Sequence, residues 1–517
     1  MAKPSVKLAQ SLEILRVLQQ DGGAAAIRSK DISRVHRERL IANGFLKEVI
    51  RGWFIPIRPD EQPGDSTSWY TSFWKFAVRY LEERFGNEWS LSPEQSLMIH
   101  AGNWTVPRQL LIRSPNARNK ETPLPHNTSL FDVRASLPAE VERDIVDGLR
   151  LFSLSSALIA VPTGFFTRNP TDARTALLSV RDASDLLPRL LDGGHSVVAG
   201  RLAGAMRNIS RDRVADDIIR AMRSAGYDVR ENDPFTNRVS VGMGRETSPY
   251  VNRLRMMWHA MRQAVADRFP KAPGMPRNKA AYLKQTEDAY VTDAYHSLSI
   301  EGYRVTPELI ERVRSGKWNP EALSQDREQR NALAARGYWQ AYQAVLVSLD
   351  KILSGQNPGQ VADADHGAWY RELFAPSVAV GLLRASDLAG YRNGPVYIRS
   401  SMHVPLNRDA VRDAIPAFFQ LLDEEYDPGV RVVLGHFVFV YIHPYMDGNG
   451  RMGRFLMNAM LAAGGYPWTV IPLAERKKYM GSLEQASVHQ DIAPFADFLA
   501  RLVGKALNGG PLPEVPK

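Results

Sequence analysis

His443-Pro-Tyr-Met-Asp-Gly-Asn-Gly-Arg-Met-Gly-Arg454 is the segment that decides how this chain folds and what it can do. Gly448-Asn449-Gly450 can adopt positive φ, which lets successive backbone N–H groups converge on an anion. From Arg451 to Leu461 the apolar residues recur at helical spacing. The sequence therefore predicts an anion site at a helix N-terminus.

Four side chains of this segment have the chemistry of a phosphate site. Arg451 and Arg454 are three residues apart, so both guanidinium groups lie on one face of the first helical turn. Asp447 is a hard oxygen ligand, suited to a Mg²⁺ that bridges phosphates. His443 follows an apolar run, strand-like or helical, and can take a proton from an attacking hydroxyl near neutral pH. A lone Gly-Asn-Gly or His-Pro would indicate only a turn or a helix end, but all the elements together predict phosphate transfer.

The segment resembles the core motif of Fic-domain proteins, His-Pro-Phe-x-Asp/Glu-Gly-Asn-Gly-Arg-x-x-Arg, with Tyr445 in place of the usual Phe. The resemblance implies transfer of AMP from ATP to a Ser, Thr or Tyr hydroxyl of a target protein or of the chain itself. It also implies the role of each residue: His443 as general base, Asp447 as Mg²⁺ ligand, and Gly448, Asn449, Gly450, Arg451 and Arg454 as ATP-phosphate contacts. Relatives that phosphorylate or transfer phosphocholine leave the transferred group open.

A second segment, Ser297-Leu-Ser-Ile-Glu-Gly302, resembles the inhibitory helix motif of the same family and lies 142 residues before the histidine, counted from Glu301. The resemblance implies that Ser297, Glu301 and Gly302 form the inhibitory motif. A carboxylate at Glu301 can pair with Arg454 and occupy the guanidinium that the γ-phosphate needs. The same resemblance allows Glu301 to position water for removal of AMP.

Two further regions are placed by the resemblance. Val396, Tyr397 and Ile398 belong to the expected β-hairpin flap, which would bind a target segment by strand addition. Tyr479, Met480 and Ser487 occupy the place of the nucleoside pocket, where relatives often carry Tyr-Tyr and Asn.

Composition limits the class of protein. The chain has 517 residues, 44% hydrophobic and 23% charged, which favours two to four globular domains. It has no cysteine, which excludes disulfides, thiol catalysis and cysteine-based zinc sites. It also has no apolar run of membrane-spanning length and no apolar signal-peptide core, so we expect a cytoplasmic protein without a membrane partner.

The N-terminal region is predicted to be a winged helix-turn-helix over residues 1–60. Residues 1–56 carry ten Lys/Arg and five Asp/Glu, against a net charge of +9 for the whole chain. The prediction rests on three elements: a helix at Ser5–Gln20, a second helix capped by Ser33, and a β-hairpin joined through Arg51-Gly52. Helices followed by a hairpin are typical of a winged helix-turn-helix. The pattern resembles the winged-helix domain of AbiE-type antitoxins, which implies transcriptional self-regulation. The candidate DNA contacts are Arg34, Arg37, Arg39 and Arg51; solvated helix faces or a protein-binding role stay open.

The remaining boundaries complete the predicted organisation. Residues 61–235 are expected to form a mixed α/β antitoxin-like region, 236–251 a linker, 252–507 a mainly α-helical Fic fold with its inhibitory helix near 290–302, and 508–517 a flexible tail. Within the second region, residues 68–81 are predicted as a helix, 109–113 and 149–152 as strands, and 114–128 as a loop.

The leading hypothesis is an adenylyltransferase that uses ATP and Mg²⁺, is inhibited by Glu301 and carries a DNA-binding regulatory N-terminus. The alternative is a DNA-binding repressor whose Fic half senses nucleotide with little transfer activity. Oligomeric state, including a homodimer, stays open.

Overall fold

The computed structural model describes residues 4–20, 26–59, 61, 64–237, 248–317 and 329–516. The chain divides into two compact units. The first unit is Met1–Pro249 together with Tyr397–Val404, and the second is Tyr250–Val396 together with Pro405–Lys517.

The first unit begins with two helices and a three-stranded antiparallel sheet in the order β1-β3-β2. Its elements are α1 (Pro4–Gln20), β1 (Ile27–Arg28), α2 (Arg34–Ala42), β2 (Leu46–Ile50) and β3 (Trp53–Pro56). Ser33 is the N-cap residue of α2, and β2 and β3 pair as a hairpin whose turn contains Gly52 at φ +79°. The order of helices and hairpin follows the sequence prediction, with β1 as an additional strand.

Strand β3 contributes to two hydrophobic cores because its side chains alternate between the faces of the sheet. Phe54 packs with Leu15 and Leu40 of the helices. Trp53 and Ile55 pack with α3 (Thr67–Phe85). The predicted domains 1–60 and 61–235 therefore share a core and lie within one unit.

A four-stranded mixed sheet follows, in the order β4-β5-β7-β6 with β5 and β7 parallel. Its elements are β4 (Ser90–Leu91), α4 (Pro93–His100), β5 (Gln109–Ser114), β6 (Lys120–Leu124) and β7 (Thr128–Arg134). The predicted loop over 114–128 is wrong for Lys120–Leu124. The buried Asp132 carboxylate accepts the backbone N–H groups of Arg118 and Lys120 at 2.7 and 3.2 Å, which fixes the turn and lets the chain return as a strand.

Helices complete the first unit after the hairpin of β8 (Arg143–Val146) and β9 (Leu149–Phe152). They enclose a separate hydrophobic core. They are α5 (Leu154–Ala160), α6 (Gly164–Arg168), α7 (Pro170–Leu178), α8 (Leu187–Asp192), α9 (Ser196–Asn208) and α10 (Asp212–Ser224).

The second unit has no β-strand among its described residues and is built around one large hydrophobic core. Its helices are α11 (Pro249–Ala266), α12 (Lys279–Ile300), α13 (Pro307–Arg314), α14 (Gln329–Leu353), α15 (Pro358–Ala379), α16 (Arg408–Glu424), α17 (Pro428–Ile442), α18 (Asn449–Gly464), α19 (Arg476–His489) and α20 (Ala493–Leu507). Helix α17 is buried along nearly its whole length, so the apolar run before His443 is a central helix and not a strand.

Two of the predicted segments change. Residues 249–251, predicted as linker, begin α11, because Pro249 has the fixed φ that suits a first helical turn; residues 238–247 of that linker lie outside the described part. The predicted β-hairpin flap is wrong: residues 382–405, all described, contain no paired strand. Pro395 and Pro405 lack the N–H that a ladder needs, and Ser400 has φ +58°.

The tail after α20 has no regular secondary structure up to Pro516. The backbones of Pro513 and Glu514 nevertheless reach the His296 imidazole. No helix in the described part of the chain is long and apolar enough to span a membrane.

Candidate active site

The site is built where α17 ends and α18 begins. His443 caps the C-terminus of α17 in the left-handed conformation (φ +55°, ψ +61°), which is costly for a residue other than glycine and is sustained only by its surroundings. Gly448, at φ +81°, then turns the chain into α18. The first N–H groups of α18 have no partner within the helix and point towards the loop.

Side chains from inside and outside the motif hold this loop rigid. Asn449 accepts the N–H of Tyr445 at 2.9 Å and donates to the carbonyl of the same residue at 2.8 Å. The Tyr445 ring stacks on Tyr370 with centroids 3.7 Å apart, which explains how tyrosine is tolerated in place of phenylalanine. The side chain of Asn449 is therefore structural, and only its backbone N–H is left for a phosphate.

Arg392 fixes the backbone of His443, a role that the sequence did not reveal. Its Nε donates to the His443 carbonyl at 2.7 Å and its Nη1 to the Gly394 carbonyl at 3.1 Å. A further Nη2 contact reaches the carbonyl of Leu406. The buried guanidinium thus satisfies the His443 carbonyl, which the left-handed turn leaves without a helical partner, and joins it to the segments that contain Gly394 and Leu406.

The His443 imidazole is oriented as a base. Its Nδ1 lies 3.1 Å from the Val440 carbonyl, which can only accept, so Nδ1 carries the proton and Nε2 keeps its lone pair. Nε2 has no hydrogen-bond partner among the described residues. Burial lowers the pKa of His443 to about 4, so the ring is neutral at physiological pH.

This pKa predicts the pH dependence of catalysis. Only the neutral imidazole can accept a proton, so kcat/KM should stay level from pH 8 to about pH 5 and fall as pH drops through about 4. The measurement is kcat/KM for nucleotide transfer across that range. A fall centred near pH 6 would contradict this assignment and point instead to Asp293, a buried carboxyl whose pKa is raised to about 6 by burial.

Arg451 is buried between two aromatic rings and the Asp447 carboxylate. Its guanidinium carbon lies 5.2 Å from the centre of the Tyr303 ring and 5.1 Å from that of Phe374. Nη2 makes a long contact of 3.4 Å with the Asp447 carboxylate. Nε is buried and has no hydrogen-bond partner among the described residues, and a buried donor without a partner is costly unless a ligand satisfies it.

Arg454 is held by three acceptors of the segment that begins in α12. Nε donates to the Ser297 hydroxyl at 2.8 Å, and Nη2 donates to the Ser297 carbonyl at 3.0 Å and to Glu301 Oε1 at 2.7 Å. Nη1 is buried without a partner in the described residues. The sequence prediction that Glu301 pairs with Arg454 agrees with this geometry.

The ion pair determines the charge of both groups. Burial opposes ionisation of Glu301, but the Arg454 guanidinium outweighs it and lowers the pKa of the carboxyl. Burial likewise disfavours the charged form of Arg454, and Glu301 outweighs that effect and raises its pKa. The Glu301 side chain is 33% exposed, so solvent reaches the pair from one side.

Two glycines allow the glutamate to approach. A Cβ on Gly450 would lie 2.2 Å from Glu301 Oε1, so any other residue there would displace the carboxylate. Gly302 has φ +88° at the C-terminus of α12, where only glycine avoids strain.

Asp447 fits a site for Mg²⁺ shared with phosphates. Its carboxylate is 66% exposed, and its Oδ1 accepts the N–H of Gly448 at 2.6 Å. The described residues contain no cluster of three or more metal-ligating side chains. One carboxylate suffices when substrate phosphates and water complete the shell, which is how Mg²⁺ commonly binds in nucleotide sites.

The predicted nucleoside contacts have mixed placements. Tyr479 is buried, and its hydroxyl bonds to His436 Nε2 at 2.7 Å; burial raises its pKa to about 12. Ser487 is buried and Met480 is half-buried. Tyr479 thus has a structural bond, and its part in nucleotide binding stays a prediction.

His436 is a second structural residue that sequence reasoning missed. Its Nδ1 donates to the Gly453 carbonyl at 2.7 Å, and its Nε2 accepts from Tyr479, so one ring links α17, α18 and α19. Burial lowers its pKa to about 4. The sequence did contain a signal for this role, because His436 is a polar residue within the otherwise apolar run of α17.

The other predicted site residues lie in the first unit or at its boundary. Val396 is buried and Tyr397 is exposed; the segment that follows belongs to the first unit, where the Ser400 N–H donates to Thr67 and the Met402 carbonyl accepts from the Val106 N–H.

The predicted DNA contacts also lie in the first unit. Arg34 is exposed and pairs with Glu38 at 2.6 Å, and Arg51 is exposed. Arg37 donates to the Ser29 carbonyl, and Arg39 donates to the Lys7 carbonyl and the Ser11 hydroxyl.

The geometry defines a site that can hold a phosphate chain at a helix N-terminus beside a neutral base. Residues 366–461 match the Fic/DOC family. "Protein adenylyltransferase Fic" of Nematostella vectensis is 25% identical over 292 residues, which cover 54% of this chain and 64% of the relative. The protein of the same name from Drosophila yakuba is 36% identical over 236 residues, covering 45% of this chain and 44% of the relative. The chain thus spans less than two thirds of the length of each of these two relatives.

Solved structures match more loosely. Fic-1 (aa134–508) from C. elegans covers 66% of this chain at 18% identity, with 96% of that structure aligned and a TM-score of 0.37. A Fic domain containing signaling protein from Bacteroides thetaiotaomicron covers 52% of this chain and is itself fully covered, at 17% identity and a TM-score of 0.36.

Proposed function

We propose that this protein is an adenylyltransferase that transfers AMP from ATP to a hydroxyl of a protein and that Glu301 restrains it. The observation that carries the proposal is the pair of buried guanidinium nitrogens without a partner among the described residues, Arg451 Nε and Arg454 Nη1, in the first two turns of α18. Guanidinium donors bind phosphate oxygens through charge-assisted hydrogen bonds. The similarity to protein adenylyltransferases indicates ATP as the nucleotide and AMP as the transferred group.

The residues have distinct roles in this reaction. The N–H groups that open α18 and the two arginines hold the triphosphate, with the α-phosphorus facing His443. The acceptor oxygen bonds to that phosphorus as the bond to the β-phosphate oxygen breaks, and pyrophosphate leaves. The acceptor proton moves to His443 Nε2.

Mg²⁺ at Asp447 would supply a counter-charge for the phosphates. The same carboxylate accepts the Gly448 N–H at 2.6 Å, which holds its orientation against the turn.

Glu301 restrains the enzyme because its carboxylate occupies Arg454 Nη2 and lies beside Gly450. Its negative charge would repel a γ-phosphate brought to the same arginine. When the carboxylate turns away, Arg454 stays in place through its two bonds to Ser297. For AMP removal, Glu301 would instead stay in the site and orient a water that attacks the phosphorus of the modified target; the bond to the target oxygen breaks and AMP leaves, a hydrolysis distinct from the reverse of transfer.

The test uses purified full-length protein with Mg²⁺ and ATP labelled on either the α- or the γ-phosphate. We expect covalent label from the α-position and none from the γ-position. Label from the γ-position would identify a kinase, and nucleotide binding without covalent label from either position would favour the nucleotide-sensing alternative.

For the first unit we propose DNA binding through the exposed arginines of α2 and the hairpin turn. Arg34 is held only by an exposed ion pair, which is worth little, and Arg51 is exposed. Arg37 and Arg39 support the fold through backbone carbonyls. This division favours phosphate contacts by Arg34 and Arg51.

Arg34→Ala and Arg51→Ala should each weaken binding to DNA from upstream of the protein's own coding sequence. Each substitution should also reduce the slope of the logarithm of affinity against the logarithm of salt concentration by about 1, as expected for the loss of one phosphate contact. Fluorescence anisotropy at several salt concentrations measures both. Arg16→Ala is the control because Arg16 is an exposed, ion-paired arginine on α1; equal losses in all three variants would contradict the assignment.

A further inference from the structure

We propose that Tyr303, with Phe374, is a positioning residue for Arg451, and that the segment Glu301–Tyr303 stays in place when the site is active. The inference rests on the proposed function, because it concerns how the same site binds ATP. It adds a residue outside both sequence motifs and a constraint on how inhibition is relieved.

Two aromatic rings cover the guanidinium of Arg451. Its guanidinium carbon lies 5.2 Å from the Tyr303 ring centre and 5.1 Å from the Phe374 ring centre. Rings over a guanidinium are attracted to its charge, more strongly where water is excluded. Arg451 is only 1% exposed. The ring contacts restrain the guanidinium without accepting any of its N–H groups, and Nε keeps no hydrogen-bond partner among the described residues.

A rigid turn carries Tyr303. The Tyr303 N–H bonds to the Leu298 carbonyl at 3.1 Å and the Gly302 N–H to the Ser299 carbonyl at 3.0 Å. These two bonds, with Gly302 at positive φ, form the Schellman motif that ends a helix. The motif fixes Tyr303 relative to Glu301, so the same turn delivers a carboxylate to Arg454 and a ring to Arg451.

The two contacts act in opposite directions on ATP binding. The carboxylate of Glu301 occupies Arg454 Nη2, whereas the ring of Tyr303 contacts Arg451 without accepting one of its N–H groups. Withdrawal of the whole turn would free Arg454 but leave Arg451 without one of its two rings. Rotation of the Glu301 side chain alone frees Arg454 and keeps Arg451 positioned, and the 33% exposure of that side chain gives it room to turn towards solvent.

The test compares Tyr303→Phe with Tyr303→Leu in the Glu301→Gly background of the full chain. The two replacements have similar bulk, but only phenylalanine keeps a ring. We expect Tyr303→Leu to raise the KM for ATP by about threefold to tenfold, with a smaller change in kcat, and Tyr303→Phe to match its parent. Circular dichroism and thermal melting confirm that each variant folds.

Arg330→Ala is the matched control, because Arg330 is an exposed arginine that also lies over the Tyr303 ring, at 5.4 Å. It should leave the KM for ATP unchanged. Equal KM values for the Phe and Leu variants and their parent would overturn the proposal. So would increased activity of Tyr303→Leu, which would mean that the active state needs the turn withdrawn. Absence of any transfer in the Glu301→Gly parent would instead count against the proposed function itself.

Discussion

Replacement of Glu301 by glycine is expected to raise auto-adenylylation by about tenfold or more, because it removes the carboxylate bound to Arg454 Nη2. A hydrogen bond between charged groups contributes about 1.5–3 kcal/mol, and about 1.4 kcal/mol corresponds to a tenfold change in binding. Arg454 should keep its position through Ser297. Incorporation of α-labelled nucleotide over time, together with ATP affinity by calorimetry, measures the effect.

Two further variants test whether the charge of Glu301 and its position are responsible for this effect. Glu301→Gln keeps the shape of the side chain but removes its charge, and should give a smaller increase. Glu311→Ala removes a nearby exposed acid on α13 whose ion-pair partner is Arg314, and should have no effect. Equal activity of Glu301→Gly and the unmodified protein would contradict the inhibitory role of Glu301.

His443→Ala should reduce transfer by about 10²- to 10⁴-fold, the usual contribution of a general base, while ATP binding is retained. Transfer and ATP binding should respond differently because, in the proposed mechanism, the imidazole contacts the acceptor hydroxyl, whereas the arginines and the N-terminus of α18 hold the phosphates. The measurement pairs single-turnover transfer with equilibrium ATP binding, both in the Glu301→Gly background.

His489→Ala is the control for His443→Ala, since His489 is exposed at the end of α19. It should behave as the parent. Transfer that persists at the parental rate in His443→Ala would show that another group accepts the proton.

Much of the site was predictable because its residues are close in sequence and each has a local physical reason. The turn at Gly448, the helix that follows and the two arginines on its first turn all follow from glycine conformation and helical spacing. The approach of Glu301 to Arg454 joins positions 153 residues apart, and only the resemblance to a known motif predicted it.

The residues that sequence reasoning missed act through long-range packing. Arg392 meets the His443 carbonyl, and Tyr303 meets Arg451, only after the helices of the second unit have packed. His436 links three helices from inside an apolar run. Arg392 and Tyr303 have no spacing pattern that distinguishes them from neighbouring residues, whereas His436 stands out as a polar residue in an apolar run.

The failed predictions concern backbone pairing. The family resemblance implied a β-hairpin before Pro405, but proline and a positive φ at Ser400 oppose a ladder there. Local composition favoured a loop at Lys120–Leu124, yet the buried Asp132 organises the preceding turn and a strand forms. The prolines could be read from the sequence, whereas the Asp132 acceptor lies outside the predicted loop and could not be read from the loop's own composition.

The intact mass of the full-length Glu301→Gly protein after incubation with Mg²⁺ and ATP tests the proposed AMP transfer most directly. We predict an increase by one or more AMP groups, and no increase when His443→Ala is combined with it. An unchanged mass in Glu301→Gly, an increase by phosphate alone, or an AMP adduct that survives the loss of His443 would contradict the proposed mechanism.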